Sequence, residues 1–325
     1  MKHVAIIGEC MIELNGEPFG AMQQSYGGDT LNAALYLARG TLANRSSQDI
    51  KISYVSALGN DAISNEMLNQ WQDEGINTDL VLRDPERTPG LYLIQLDEHG
   101  ERTFLYWRNQ SAARYLLRHQ DFANVKAALE HVDMVLLSGI SLAILPAQDR
   151  IELLSLIAEL RNKGVEVAFD SNFRPALWPK DDNWQTVKAC YQTMLSNTDL
   201  ALVTFDDEQL LWGDLSPKHT LARLKQLGVK KAVIKLGEAG CLIQEFDADL
   251  TMEESARLIT TTAVTDVVDT TSAGDAFNGG FLSAYLAKQS MAKACERGNA
   301  LAGIVIQHRG AIVPKIATSA LSNNT

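Results

Sequence analysis

The chain has 325 residues, a hydrophobic share of 46%, and 29 Lys and Arg against 40 Asp and Glu, a formal net charge of −11. This is the balance of a globular protein with one large core and room for a small elaboration, and its acidic surplus excludes the phosphate-neutralising surface that duplex binding requires. No run approaches the roughly 20 apolar residues of a membrane span, no apolar leader precedes the first strand, and Cys10, Cys190, Cys241 and Cys295 stand apart without metal-ligand spacing, so the chain reads as a cytoplasmic protein with reduced, structural thiols.

The first expected element is a strand over Val4–Ile7, followed by Gly8-Glu9-Cys10 where a dinucleotide-binding fingerprint would place further glycines. Residues 11–26 break the rhythm, and Gly27-Gly28 then signals a turn. Leu31, Ala34, Leu35 and Ala38 fall at i, i+3, i+4 and i+7 of a helix, with Asp29 or Thr30 placed to cap it and Asp29 and Asn32 exposed in its first turn. A strand over Val55–Leu58 leads to a helix over Asp61–Glu74 that Gly75 should terminate. In residues 88–108, Leu91–Gln95 and Thr103–Trp107 flank Asp97-Glu98-His99-Gly100 as a hairpin. Together with 11–26 it suggests a small antiparallel sheet standing off the core as a lid; an edge hairpin of the main sheet is the alternative.

Strands over Met134–Leu137 and Val165–Phe169 bracket a helix over Asp149–Lys163 that ends at Gly164, and further strands follow at Leu200–Val203 and Ala232–Leu236. Apolar runs alternating with helices are the pattern of a mostly parallel sheet covered on both faces. The last of these strands enters a turn bracketed by Gly237 and Gly240. The run Asp269-Thr270-Thr271-Ser272-Ala273-Gly274-Asp275 then opens a helix whose apolar positions include Phe277, Phe281 and Leu282. Small residues at a helix N-terminus offer free amides and a favourable dipole to an anion. A carboxylate at the same place repels that anion unless it has a chemical task, and proton abstraction from an attacking hydroxyl is such a task. The alternative is an Asp that only caps the helix. No Walker-type phosphate loop occurs in the sequence.

The Asp269–Asp275 run resembles the C-terminal signature of the ribokinase-like (pfkB) carbohydrate kinases, and Gly27–Arg39 resembles that family's N-terminal signature. The resemblance extends over essentially the whole chain. It implies an α/β fold, a three-layer core with a mostly parallel sheet and an antiparallel β lid, in a single kinase domain over 1–325 with lid segments 11–26 and 88–108. It implies ATP as phosphoryl donor, Ser272, Ala273 and Gly274 as anion hole, and Asp275 as base. Gly28, Asp29 and Asn32 would meet the acceptor, and Lys235 and Gly237, with Asn172, would lie on the nucleotide. Where many members carry Asn-x-x-Glu for a magnesium-bound water, this chain has Thr204-Phe205-Asp206-Asp207-Glu208, which leaves Asp207 and Glu208 as the candidates for Mg²⁺.

Several strings, among them Gly8-Glu9, Gly90-Leu91-Tyr92, Tyr106-Trp107-Arg108-Asn109, Asn172–Trp178 and Arg309-Gly310-Ala311, resemble the branch of this family that acts on the keto-deoxy sugar acid 2-keto-3-deoxygluconate at its terminal hydroxyl. That likeness implies Tyr92, Tyr106, Arg108 and Arg174 as further acceptor contacts, with guanidinium groups suited to a carboxylate. A neutral-sugar kinase such as a fructokinase, and a non-catalytic sugar or nucleotide sensor on the same fold, are the competing readings. An exposed lid with apolar strands also suggests a homo-oligomer.

Overall fold

In the first strand, β1 (Lys2–Ile7), Val4 and Ile6 enter one hydrophobic cluster while Ala5 and Ile7 enter another. Successive side chains leave opposite faces of a strand, so a run that is apolar at every position must be covered on both sides. The computed structural model describes residues 1–42, 50–96, 102–246 and 256–319, and within them β1 lies inside a nine-stranded sheet. In chain order its other members are β4 (Ile50–Gly59), β5 (Val81–Asp84), β8 (Met134–Ser138), β9 (Glu166–Asp170), β10 (Leu200–Thr204), β11 (Lys231–Lys235), β12 (Cys241–Glu245) and β13 (Arg257–Ile259). The spatial order is β13-β12-β11-β10-β9-β8-β1-β4-β5. Pairing is parallel from β5 through β11, and β12 and β13 add an antiparallel edge.

One face carries α1 (Asp29–Leu42), α2 (Ala62–Asp73), α9 (Ala273–Leu286) and α10 (Met291–Val305), whose apolar residues share a cluster with Val4 and Ile6. The other carries α3 (Phe122–Leu129), α4 (Gly139–Ala143), α5 (Ala147–Asn162), α6 (Gln185–Ser196), α7 (Phe205–Trp212) and α8 (Pro217–Gln226). The helix over Asp61–Glu74 is α2, with the Asp61 side chain accepting from the Ser64 amide at 2.9 Å. The one expected at Asp149 begins two residues earlier, at Ala147, because Pro146 already has the φ of a helix start and supplies the N-cap. Gly75 and Gly164 stand at φ +87° and +90°, the left-handed conformation that ends a helix with little steric penalty in glycine.

The lid is a separate four-stranded sheet, β3-β2-β6-β7, built from β2 (Met11–Gly16), β3 (Met22–Gly27), β6 (Gly90–Leu96) and β7 (Arg102–Trp107). β2 pairs antiparallel with β3 and parallel with β6, so the segments 11–26 and 88–108 form one sheet, not an extension of the large one. The turn expected at Asp97–Gly100 lies outside the described residues. Tyr92, Phe104 and Tyr106 pack on one another with centroids 5.9–6.2 Å apart. Phe104, Leu105, Tyr106 and Trp107 remain exposed.

Two adjacent glycines set how closely the helices of the first face approach. A Cβ on Gly279 would lie 2.7 Å from the Leu37 nitrogen and 2.8 Å from the Ala33 oxygen, and one on Gly280 would lie 2.9 Å from the Arg297 oxygen. The α9 backbone is therefore in contact with α1 on one side and α10 on the other, and this contact brings the N-termini of α1 and α9 together.

Candidate active site

Asp29 opens α1 and Asp275 lies in the first turn of α9. The Asn32 amide donates to Asp275 Oδ2 at 2.9 Å, and the Ser272 hydroxyl donates to the same oxygen at 2.9 Å. Ser272 adopts φ +64° at the N-cap, which turns the chain into the helix and leaves the first amides of α9 free of helical partners. Burial, and then the charge of Asp29, push the Asp275 carboxyl up to about 7, against the opposing hydrogen bonds from Asn32 and Ser272. A base poised near neutrality matches proton abstraction at physiological pH.

Thr30 does not cap α1, whereas the Asp29 carboxylate accepts from the Thr30 amide in the first turn. The Gly28 amide is met by Asn32 Oδ1 at 3.4 Å, while the Thr30 hydroxyl bonds Tyr54 Oη at 3.0 Å. Asp29 turns inward to accept from the Ser138 hydroxyl and from Asn172 Nδ2 at 2.8 Å, and burial raises its pKa. Asn172, expected on the nucleotide, stands beside Asp29, its φ of +33° set where the chain leaves β9. Gly28 is compelled by the Glu9 peptide, since a Cβ there would lie 2.2 Å from the Glu9 oxygen.

Lys235, at the end of β11, donates to Asp170 Oδ2 at 2.8 Å and to Asn278 Oδ1 at 3.3 Å, and Asn278 Nδ2 meets Asp170 Oδ2 at 2.6 Å. The Lys235 ammonium lies 3.6 Å from where a Gly274 Cβ would be, so cation and small-residue turn share one corner. Gly237, at φ +59°, has no neighbour within 4 Å of a built Cβ. A groove of about 800 Å³ runs between residues 260–265 and α10, lined by Thr260, Val264, Lys293, Asn299, Gly303 and Gln307 among others. The chain leaves it through Val268 and Asp269, whose amides bond the Ile306 oxygen at 2.8 and 3.1 Å, and enters the Ser272 turn.

On the lid side, the Tyr92 hydroxyl donates to Glu13, and burial followed by the Glu13 charge pushes its pKa up. Arg108, just beyond β7, donates through Nη2 to Glu9, and its guanidinium carbon stands 5.9 Å from the Tyr106 ring. Burial raises the Tyr106 pKa, opposed by the charges of Arg108 and Arg174. Arg174 is half open to water, bonds the Phe173 oxygen at 3.0 Å and lies 3.7 Å from Asp207. Burial raises Asp207, with Arg174 the leading opposing influence. Glu208 lies apart: it is fully buried and accepts from Arg223 Nη2 at 2.6 Å, in a cluster with Asp214.

The structure therefore gathers Asp275, Ser272, Gly274, Asp29, Asn32, Asn172 and Lys235 in one cleft, sets Tyr106 and Arg108 at the lid beside Glu9 and Arg174 beside Asp207, and commits Glu208 to Arg223. Ser138, Asp170, Asn278 and Glu9 complete the network, and the sequence offers none of them as a site residue. Ser138 and Asp170 end β8 and β9, and ligands of open α/β sheets gather at such carboxyl ends, a rule usable only once the strands are placed.

The model of the pfkB family carbohydrate kinases matches residues 1–318. A 2-dehydro-3-deoxygluconokinase of Haemophilus influenzae is 53% identical over 323 residues, covering 99% of each chain, and one of Escherichia coli K12 is 42% identical over 98% of this chain and 99% of its own. Among solved structures, a fructokinase from Xylella fastidiosa with bound ATP superposes with a TM-score of 0.78 at 21% identity, covering 98% and 97% of the two chains. A putative ribokinase II of E. coli in complex with ATP and Mg²⁺ gives 0.80 at 18% identity, covering 100% of both. At that identity the structures speak for the fold, the ribokinase-like one that the two signatures imply. With both signatures converging on one cleft and the family model spanning nearly the whole chain, this protein belongs to the pfkB family of carbohydrate kinases.

Proposed function

We propose that the chain is an ATP-dependent kinase of 2-keto-3-deoxygluconate, also named 2-dehydro-3-deoxygluconate, forming the 6-phosphate with Asp275 as general base. The observation that carries the reading is the double tether of one carboxylate: Asp275 Oδ2 accepts from Asn32 on the acceptor helix and from Ser272 on the anion turn. A hydroxyl seated against Asn32 would face the base on one side and a phosphoryl group at the α9 amides on the other. Asp275 would take the proton as the oxygen attacks in line, and the amides opening α9 would stabilise the transferred charge.

ATP would lie with its base in the groove along α10, its ribose near Gly237 and its phosphates toward Lys235 and Gly274. Mg²⁺ fits the acid groups available. Among the described residues no three metal-binding side chains gather into a cage, as suits an ion that keeps most of its waters and is held through few carboxylates and the substrate phosphates. Asp207, half-buried beside Arg174, is the residue for a magnesium-bound water, since Glu208 is taken by Arg223. When bound, the ion would neutralise charge on the phosphates.

The acceptor assignment is supported by the names of relatives at 42% and 53% identity and by two guanidinium groups whose charges act on Tyr106. The described lid contributes no helix and no described helix is long and apolar enough to cross a membrane. We read the protein as one kinase domain with its lid, working in the cytoplasm and able to pair through the exposed lid strands. A coupled ATP assay across 2-keto-3-deoxygluconate, gluconate, fructose, ribose and adenosine tests the assignment: the keto-deoxy acid should give the highest kcat/KM, and a neutral sugar exceeding it would overturn the acceptor.

A further inference from the structure

Glu9, the first residue after the Gly8 that ends the β1 run, is only 4% exposed, although an ionised carboxylate in such a place needs strong partners. It has two. Arg108 Nη2 donates to Oε2, and the Ser111 hydroxyl donates to Oε1. The same residue touches the other elements that frame the acceptor. Its peptide oxygen fills the place of a Gly28 side chain, and its Oε1 would lie 2.9 Å from a Cβ on Gly90, where β6 begins. The Gly27-Gly28 turn therefore rests on the Glu9 backbone, while the start of one lid strand and the residue after another meet its carboxylate.

A buried ion pair is a poor source of stability, because desolvation offsets most of the attraction and apolar replacements often do as well. Its effect here is geometric. Arg108 keeps only 10% of its side chain exposed, and its Nε is buried without a hydrogen-bond partner, so the guanidinium is fixed in place with donor capacity left over. An arginine this confined presents its remaining N–H groups in one orientation, whereas a free one would lose rotamer entropy on meeting a ligand.

We infer that Glu9 is a positioning residue for the acceptor: it holds Arg108, with Ser111 as its second anchor, so that the guanidinium edge not spent on Glu9 meets the acceptor carboxylate. The inference rests on the proposed role of Arg108 in binding that carboxylate. Glu9 touches neither the reacting hydroxyl nor the nucleotide, so its loss should appear in acceptor binding and not in the chemical step.

The test is steady-state kinetics of Glu9→Ala, Glu9→Gln, Arg108→Gln and the double variant Glu9→Ala/Arg108→Gln on 2-keto-3-deoxygluconate and on fructose, with melting curves to verify folding. Glu9→Ala should raise KM for the acid by about 10- to 100-fold, the range for partners that orient a ligand-binding group, with kcat and the KM for ATP little changed and fructose turnover unaffected. Glu9→Gln, whose amide oxygen can still accept from Arg108, should recover most of the loss. The double variant should be no worse than Arg108→Gln alone, as expected for two residues acting as one unit. Should Glu9→Ala not fold, Ser111→Ala loosens the same carboxylate and should raise KM for the acid several-fold, again without affecting fructose. Acid-selective loss in Arg108→Gln but equal losses on both substrates in the Glu9 or Ser111 variants, or full additivity in the double variant, would overturn the inference and leave the acceptor reading intact. Equal losses on both substrates in Arg108→Gln itself would remove the acceptor reading and the inference with it.

Discussion

Replacing Asp275 by Asn should nearly abolish turnover and at the same time stabilise the fold at high pH. In the folded protein the carboxyl is carried from an ordinary 3.8 to about 7 by burial and by the charge of Asp29. A folded-state value above the unfolded one means that the native protein binds the extra proton between these limits. The stability associated with this group is therefore fully present below about pH 4 and lost as pH rises through about 7. At 1.36 kcal/mol per pH unit the ceiling is about 4 kcal/mol, and because the Asp275 side chain is only partly buried, solvent screening lowers it to roughly 1–2 kcal/mol at pH 8. Asn removes the charge while its carbonyl oxygen can still accept from Asn32 or Ser272. For a chain of this size the gain corresponds to an increase in Tm of about 1.5–3 °C at pH 8 and roughly a third of that at pH 5. Thermal melts of both proteins at the two pH values measure it, alongside kcat, which should fall by roughly 10²–10⁴. A variant less stable than wild type at pH 8, or an equal difference at both pH values, would refute the reasoning about Asp275's electrostatics.

Three further outcomes follow from particular contacts. Gly274→Val should place a side chain where the γ-phosphate would meet the α9 amides, beside the Lys235 ammonium 3.6 Å from the added Cβ, and cost on the order of 3 kcal/mol of transition-state stabilisation; unchanged turnover would put the anion hole elsewhere. Arg174→Gln should lower kcat/KM for the sugar acid about 10- to 150-fold and leave a neutral sugar nearly unaffected, which parallel rates on both substrates would contradict. Gly279→Ala sets a methyl 2.7 Å from the Leu37 backbone, so it should destabilise by about 1–3 kcal/mol in denaturant titration and also lower kcat, because the α1–α9 contact registers Asn32 against Asp275.

Six strands of the large sheet, β1, β4 and β8 through β11, are legible because each is buried on both faces and so reads as an apolar run. Val55–Leu58 was recovered short: β4 extends to Ile50, but Lys51 and Ser53 interrupt the run and hide its first half. β5, β12 and β13 are not legible: Val81–Asp84 is a short, half-buried edge strand, Cys241–Glu245 mixes polar and apolar residues at an antiparallel edge, and three residues of β13 carry no period. The two signature turns were legible as motifs, and their meeting, with Asn32 on Asp275, followed from the resemblance and not from any local pattern. The partners of those turns were hidden. Asp170, Asn278 and Ser138 are single polar residues at the ends of strands or inside a helix, and a single polar residue has no spacing to betray it. Glu9 is conspicuous only as the neighbour of Gly8, and its contacts lie with Arg108 and Ser111, about a hundred residues away. The contact of Asn172 with Asp29 is hidden for a similar reason: it depends on the strand order, which puts β9 beside β8.

The central claim is that this cleft transfers a phosphoryl group from ATP to the terminal hydroxyl of 2-keto-3-deoxygluconate through Asp275. It is tested most directly by ³¹P NMR of the purified protein with ATP, Mg²⁺ and the sugar acid, run in parallel with Asp275→Asn. The account predicts ADP and a single phosphomonoester on the 6-hydroxyl with wild type, and at most about one-hundredth of that rate with the variant. No ester with the sugar acid, an ester at another hydroxyl, or equal rates for the two proteins would contradict it.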